Sequence, residues 1–304
     1  MSTSPLYRFG NATEHVLVIA EIGINHNGDL SLAKKLIDLA SAAGCNAVKF
    51  QKRTIDVVYS RKFLDSPRKS PWGTTQRQQK QHLEFGEAEY QEIDAHCRKL
   101  GIEWFASAWD PASQRFLQRF DLKYNKVASA MLPHAELLEI VAAERKPTFI
   151  STGMSTATQI QTAVSVFRRH SCPFVLMHCI SEYPAPEHSL HLKSIGDLRE
   201  RYQCPVGYSG HEATVLPGVL AAMMGAVAIE RHLSLDRTMY GSDQAASLIP
   251  GELSEMVDAI RRIPTLVGNG LRQLSAAEIA NAKKLRYWSN AQDHESTRKA
   301  TLTG

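Results

Sequence analysis

Paired cysteine is missing from this chain. Its five cysteines, Cys45, Cys97, Cys172, Cys179 and Cys204, are odd in number and form no CxxC pair. That pattern excludes a disulfide framework and points to reduced thiols in a cytoplasm. The amino terminus, "MSTSPLYRFG", lacks the basic-then-apolar pattern of a signal peptide, and no uninterrupted apolar run reaches membrane-spanning length. The expectation is a cytoplasmic protein with no membrane partner. Excess charge is also missing: 35 basic and 31 acidic residues are scattered through 304, leaving +4. That balance is too mild to imply nucleic acid, although converging basic groups would still favour a small anionic substrate. No Gly-rich dinucleotide fingerprint, low-complexity tract or internal repeat beyond a strand–helix unit is present.

What is present is regular. Short β-branched or apolar runs occur at 16–23, 47–51, 103–108, 125–129, 147–153, 173–179, 205–210 and 226–235. Between them lie stretches with apolar residues three and four apart, such as "SLAKKLIDLASAAG" and "HLKSIGDLRERY", with Ser31 and Gly44 as start and stop signals of the first. Eight strands alternating with helices in a chain of this length predict a single-domain α/β fold, the (β/α)8 TIM barrel, over a doubly wound open sheet. The expected divisions are an extension at 1–15, the barrel at 16–270, and a helix with a polar tail at 271–304. One segment breaks the rhythm: residues 53–86 make a long, basic excursion after the second strand, with Pro67, Pro71 and Gly73 in its middle. Loops of that length are usually functional or disordered.

In a parallel barrel the site lies at the carboxyl ends of the strands. The first strand, in "VIAEIGINHNG", delivers Glu21 there. The second carries Lys49 and Gln51, two apart and so on one face. The others bring Ser107; Lys126 and Ser129; Ser151 and Thr152; His178, with Ser181 and Tyr183 just beyond; Ser209 and His211; and Glu230 and His232. Every strand supplies a polar residue, so Glu21 is one member of a ring. Lysines with short hydroxyl donors suit an anionic group. His211 and His232, at the ends of adjacent strands, suit a shared divalent metal, with Glu230 as a ligand or a partner of the ligands. Set against these are plainer readings: His178 as a hydrogen-bonded structural histidine, Cys179 as core, and Ser155 or Thr156 as a helix cap.

The segments "AEIGINHNGDLSLAKKLIDLASAAGCNAVKFQ", "HLEFGEAEYQEID", "STGMST", "HCISEYPAP", "VGYSGHE" and "IERHLSLDRTMYGSDQAASL" resemble the N-acetylneuraminate (sialic acid) synthase family, in order, over about residues 16–262. The resemblance implies a (β/α)8 catalytic barrel that condenses phosphoenolpyruvate with an N-acetylated hexosamine. N-acetylmannosamine is the default acceptor, and the product is a nine-carbon 2-keto acid plus phosphate. It implies a divalent metal, manganese first and magnesium or cobalt as alternatives, held by His211 and His232. Lys49, Ser107, Lys126, Ser129, Ser151, Ser181 and Ser209 would form the phosphoenolpyruvate site, and Glu21, Gln51, Tyr183 and Asp243 would meet the sugar. Of these, Glu21, Lys49 and Lys126 carry the catalytic roles. A homodimer is implied as well.

Four departures accompany the resemblance. Ser181 stands where many members have Asn, Gly210 where many have Asp, and Gln244 where some have His; the last implies altered sugar contacts. Many members also carry a carboxyl-terminal antifreeze-like domain, and the expectation here is a catalytic barrel without it, so the 53–86 excursion, with Trp72 as a sugar-facing ring, becomes the expected lid. Acceptors leading to legionaminic or pseudaminic acids remain open. So do a Schiff-base aldolase using Lys49 or Lys126, and an inactive sugar-binding protein.

Overall fold

A computed structural model describes residues 16–286 and Trp288. The expected extension at 1–15 and the end of the polar tail lie outside the described residues. The strands are β1 (Leu17–Gly23), β2 (Ala47–Lys52), a hairpin of β3 (Pro67–Ser70) and β4 (Gly73–Thr75), β5 (Glu103–Ala108), β6 (Asn125–Val127), β7 (Thr148–Ser151), β8 (Phe174–Cys179), β9 (Val206–Gly210) and β10 (Ala228–His232). Leaving out the hairpin, eight parallel strands close in the order β1-β10-β9-β8-β7-β6-β5-β2. This is the (β/α)8 barrel that the sequence pattern predicts, with all eight strands where the apolar runs lie.

The strands are buried on both faces, so their sequences are near-continuous apolar runs broken by the polar residues at their ends. The helices show one apolar stripe each. In Leu30–Ala42 the buried residues are Ala33, Leu36, Ile37 and Ala40, a helical spacing that seats one face on the barrel. Asp29, not Ser31, caps that helix, accepting from the Ser31 and Leu32 amides. Thr156 caps Ala157–Arg169 in a reciprocal pair with Gln159, as one of the plainer sequence readings expects. Among the described residues no helix is long and apolar enough to cross a membrane.

The 53–86 excursion is folded. It contains the short helices Ile55–Val58 and Arg61–Leu64, the β3–β4 hairpin, and the helix Gln76–Leu83 capped by Thr75. The expectation of a long loop fails because short-range signals settle its structure: Ser60 accepts from the Phe63 amide, and Thr75 and Gln78 cap each other. Trp72 is engaged by protein rings. Its ring stacks on His82 at 4.4 Å and meets Tyr240 edge-on at 5.3 Å, while Tyr240 donates to the Lys69 carbonyl. The excursion is thereby tied to the segment that follows β10.

The chain divides into two compact units, Met1–Arg262, which holds the barrel, and Ile263–Gly304. In the second, the helix Ala276–Leu285 is opened by a reciprocal Ser275–Glu278 cap.

Candidate active site

A cavity of about 310 Å³ opens at the carboxyl ends of the strands. Glu21, Lys49, Gln51, Ser107, Lys126, Ser129, Ser151, Ser181, Tyr183, Ser209, His211, His232 and Asp243 all line it. Barrel register explains the convergence. Glu21 lies beside both Lys49 and His232, Ser107 beside Gln51 and Lys126, and Ser209 beside Cys179 and Glu230.

The floor is a closed electrostatic circuit. Lys49 Nζ lies 2.6 Å from Glu21 Oε2 and 3.6 Å from Glu230 Oε1, and Lys126 Nζ lies 2.8 Å from Glu230 Oε2. Ser209 Oγ donates to Glu230 Oε1 at 3.2 Å, and Gln51 Nε2 donates to Glu21 Oε1 at 2.7 Å. All four charged groups are buried. Burial pushes the Glu21 carboxyl up despite Lys49. Burial would also raise Glu230, but Lys126 and Lys49 outweigh it and hold that carboxyl at about 2. Lys126 is drawn down by burial and by the Lys49 charge. Glu230 thus serves the lysines, and both its oxygens are engaged; the alternative of Glu230 as a metal ligand does not fit these contacts.

Beside the lysines, hydroxyls cluster around a glycine. A Cβ on Gly153 would sit 2.3 Å from Ser181 Oγ and 2.9 Å from Ser129 Oγ, so a side chain there would fill the space between them. Cys179 belongs to this wall as well. It is buried, but it lines the cavity, with its thiol 3.5 Å from Ser129 Oγ and 3.9 Å from Ser181 Oγ. Cys179 is buried, as the sequence reading expects, and in addition forms part of the cavity wall. Its neighbour His178 points the other way and donates to the Leu190 carbonyl at 2.6 Å, a structural role as expected.

His211 and His232 face each other with ring centroids 5.3 Å apart, and Tyr183 packs on His211 at 4.1 Å. His211 Nδ1 lies 2.7 Å from the Ile180 carbonyl, which can only accept, so Nδ1 carries a hydrogen and, in the neutral ring, Nε2 keeps a lone pair. His232 Nδ1 is buried without a hydrogen-bond partner, with Asp243 Oδ2 3.8 Å away, and burial lowers this imidazole to about 3. A neutral imidazole with an orphaned nitrogen opposite a second free lone pair is a donor set that fits a divalent cation. Among the described residues no group of three or more His, Cys, Asp or Glu converges on one point, so other coordination positions would fall to substrate or water.

The upper wall comes partly from the excursion expected as a lid, although the sequence reading singles out none of its residues as site residues. Arg53, Tyr59, Lys80, Trp109 and Ser242 line the cavity too. A signal existed for two of them. Lys49, Gln51 and Arg53 alternate along one face, as do Ser107 and Trp109. Arg53 donates to Gln51 Oε1, stacks its guanidinium on Trp109 at 4.0 Å and pairs with Glu84 at 3.6 Å. Gln244 is buried outside the cavity lining, taking the Ser234 hydroxyl and donating to the Tyr240 carbonyl at 3.3 Å. At Gly210 a Cβ would meet Glu212 Oε2 at 2.6 Å, and Glu212 pairs there with the fully buried Arg231 at 2.7 Å. That carboxylate fills the space an Asp at 210 would need.

Comparison with known proteins agrees with this architecture. The NeuB family model matches residues 36–272. The N-acetylneuraminate-9-phosphate synthase of Homo sapiens is 35% identical over 271 residues, covering 88% of this chain and 76% of that protein. The N,N'-diacetyllegionaminic acid synthase of Campylobacter jejuni is 34% identical, covering 89% and 83%. The crystal structure of N-acetylneuraminic acid (sialic acid) synthetase from Leptospira borgpetersenii, in complex with citrate, superposes with a TM-score of 0.77 at 33% identity, covering 90% of this chain and 93% of that one. The chain belongs to the NeuB family and is an enzyme of the synthase type.

Proposed function

We propose that this enzyme condenses phosphoenolpyruvate with an N-acetylated hexosamine, N-acetylmannosamine by default, to give a nine-carbon 2-keto sugar acid and phosphate. One observation carries the reading: a buried pair of lysines among serine hydroxyls shares a single cavity with two facing imidazoles. The relatives' names support the class and differ in the sugar acid made, neuraminate 9-phosphate in one and diacetyllegionaminate in another.

In this reading Lys126 and Lys49 turn from Glu230 and Glu21 to the phosphate and carboxylate of phosphoenolpyruvate, helped by Ser107, Ser129, Ser151, Ser181 and Ser209. Such charge-assisted bonds are about twice as strong as neutral ones. Gln51, Tyr183 and Asp243 hold the open-chain sugar with its aldehyde carbon over carbon 3 of the enol. His211 and His232 would hold a divalent metal, manganese by preference, which would supply Lewis-acid chemistry at the aldehyde oxygen. Attack by carbon 3 forms the new C–C bond as the aldehyde π bond breaks, and its oxygen ends as a hydroxyl by taking up the proton released when water adds. Cationic character is left at carbon 2. Glu21, released from Lys49, stabilises that charge and takes the proton of the water that adds there. The tetrahedral species then loses phosphate by C–O cleavage.

A Schiff-base aldolase would need a neutral lysine. Lys126, lowered by burial, is the candidate, but its ammonium lies 2.8 Å from a carboxylate. Borohydride trapping with pyruvate separates the readings: no adduct is expected. The main test incubates the protein with phosphoenolpyruvate, manganese and a panel of hexosamines, reading phosphate release and product mass. Release only with an acetamido sugar, with a matching keto acid, is expected; no release with any member overturns the proposal. The same proposal takes the enzyme as a cytoplasmic homodimer, which light scattering of the purified protein and fractionation of cells test.

A further inference from the structure

Arg231 is fully buried, an unusual place for a guanidinium. It stands between Glu230 and His232 on β10, so while those two face the cavity it points out of the barrel interior, and its register partner on β9 is Gly210. Its donors are spent on one short segment. Nε donates to the Gly210 carbonyl at 3.1 Å, one terminal nitrogen to the Thr214 carbonyl at 2.8 Å, and the other to the Glu212 carbonyl. The Glu212 carboxylate balances the charge at 2.7 Å and accepts from the Tyr208 hydroxyl at 2.7 Å. Residues 211–215 lie outside any strand or helix, so their carbonyls need partners from elsewhere. Two more are supplied: the His211 carbonyl accepts from the Ala185 amide at 3.0 Å, and the Ala213 carbonyl from Arg237 at 2.8 Å. A buried ion pair is weak evidence for stability, because two apolar side chains of similar volume often serve as well. What an apolar pair does not supply is a rigid fork of donors for three carbonyls of one segment.

We propose that Arg231 is a positioning residue that sets the spacing of the two cavity imidazoles. It is anchored on the strand of His232, one residue before it, and grips the segment carrying His211 at 210, 212 and 214. The rings are thereby held with centroids 5.3 Å apart, and His211 Nδ1 stays on the Ile180 carbonyl at 2.7 Å. Groups that orient a metal ligand without touching the metal change its affinity roughly 10–100-fold when removed. The inference rests on the reading of this pair as a metal site, and a metal-free readout tests it separately.

The test replaces both partners at once, as Arg231→Met with Glu212→Leu, so that no buried charge is left unpaired. Manganese is titrated into the full chain and followed by electron paramagnetic resonance, and phosphoenolpyruvate affinity is measured by calorimetry without metal. Manganese binding is expected to weaken about tenfold or more, with phosphoenolpyruvate affinity nearly unchanged, a split that general loosening of the fold would not give. In the metal-free protein, nitrogen-edited NMR is expected to show a persistent His211 Nδ1–H signal, assigned by its loss in His211→Asn, that disappears in the double variant. Unchanged manganese affinity, or an equal loss for phosphoenolpyruvate, would overturn the positioning role. If the wild type binds no manganese, the metal reading fails and the NMR signal decides alone; its survival in the double variant overturns the proposal. If the double variant does not fold, Arg231→Lys carries the same comparisons, because it keeps the charge beside Glu212 and loses the fork; a manganese loss of about threefold or more is then expected.

Discussion

The floor and the upper wall of the cavity are built on opposite principles. On the floor, Lys49, Lys126, Glu21 and Glu230 come from strand ends, are almost fully buried and neutralise one another. On the wall, Arg53, Lys80 and Trp109 come from segments beyond the strands, and Arg53 Nε and Trp109 Nε1 are buried without hydrogen-bond partners. The floor is preorganised: its charges are fixed by the fold, and a ligand must exchange one set of ion pairs for another. The wall waits for a ligand to complete it. Changes to the floor should therefore strike chemistry and folding together, whereas changes to the wall should strike recognition alone.

The largest expected effect lies at the imidazole pair. Stripping metal with EDTA should abolish turnover, and manganese should restore it; His232→Ala should do the same irreversibly while circular dichroism stays native. Full turnover in a chelated, metal-free preparation would remove the metal from the account. Next comes the floor. Lys126→Ala leaves Glu230 short of its nearest cation in a buried setting, so a loss of about 3–5 kcal/mol of stability is expected. Phosphoenolpyruvate binding should weaken roughly tenfold or more, from a charge-assisted bond worth about 1.5–3 kcal/mol. Thermal melts and calorimetry read both; a stability loss without a binding loss would make Lys126 a structural residue only.

A smaller effect concerns His26, in the turn after β1. It is buried, stacks on Phe85 at 4.0 Å, accepts from the Gly28 amide at 3.1 Å, and burial lowers it to about 3. The unfolded chain takes up this proton near pH 6.5 while the folded chain does not, so stability falls as pH drops from there toward 3. At pH 5 the loss is about 2 kcal/mol, since each unit is worth 1.36. Denaturant melts of wild type and His26→Phe at pH 7 and 5 isolate it, and parallel pH slopes would contradict the assignment. The smallest effect is on the wall. Trp109→Phe keeps the ring under Arg53 and removes one N–H, worth about 1 kcal/mol. The acceptor KM should rise about fivefold with kcat held; a fall in kcat would move Trp109 into the chemistry.

The same contrast explains what the sequence made legible. Strand ends obey a period of two, and barrel topology gathers them at one mouth, so Glu21, Lys49, Ser107 and His232 could be read together before any coordinates. Cys179 is buried as read, and its place in the cavity wall follows from the same alternation: with His178 turned outward to Leu190, the next residue faces the cavity. Arg53 and Trp109 continue their strands' alternation just past the strand ends, where the pattern was no longer followed. Lys80 and Tyr59 had no such signal. Lys80 reaches the mouth through the fold of the excursion, whose hairpin and helices arise from local caps and from the Trp72, His82 and Tyr240 rings. Long-range packing of that kind is invisible to periodicity.

A crystal structure with phosphoenolpyruvate and no sugar tests the division of the cavity most directly. The phosphate and carboxylate are expected within hydrogen-bonding reach of Lys126 and Lys49 and of the serine hydroxyls around Gly153, with the lysines drawn from Glu230 and Glu21, and with Arg53 Nε and Trp109 Nε1 still unengaged. Phosphoenolpyruvate bound at Arg53 and Lys80, above an undisturbed floor circuit, would contradict the account.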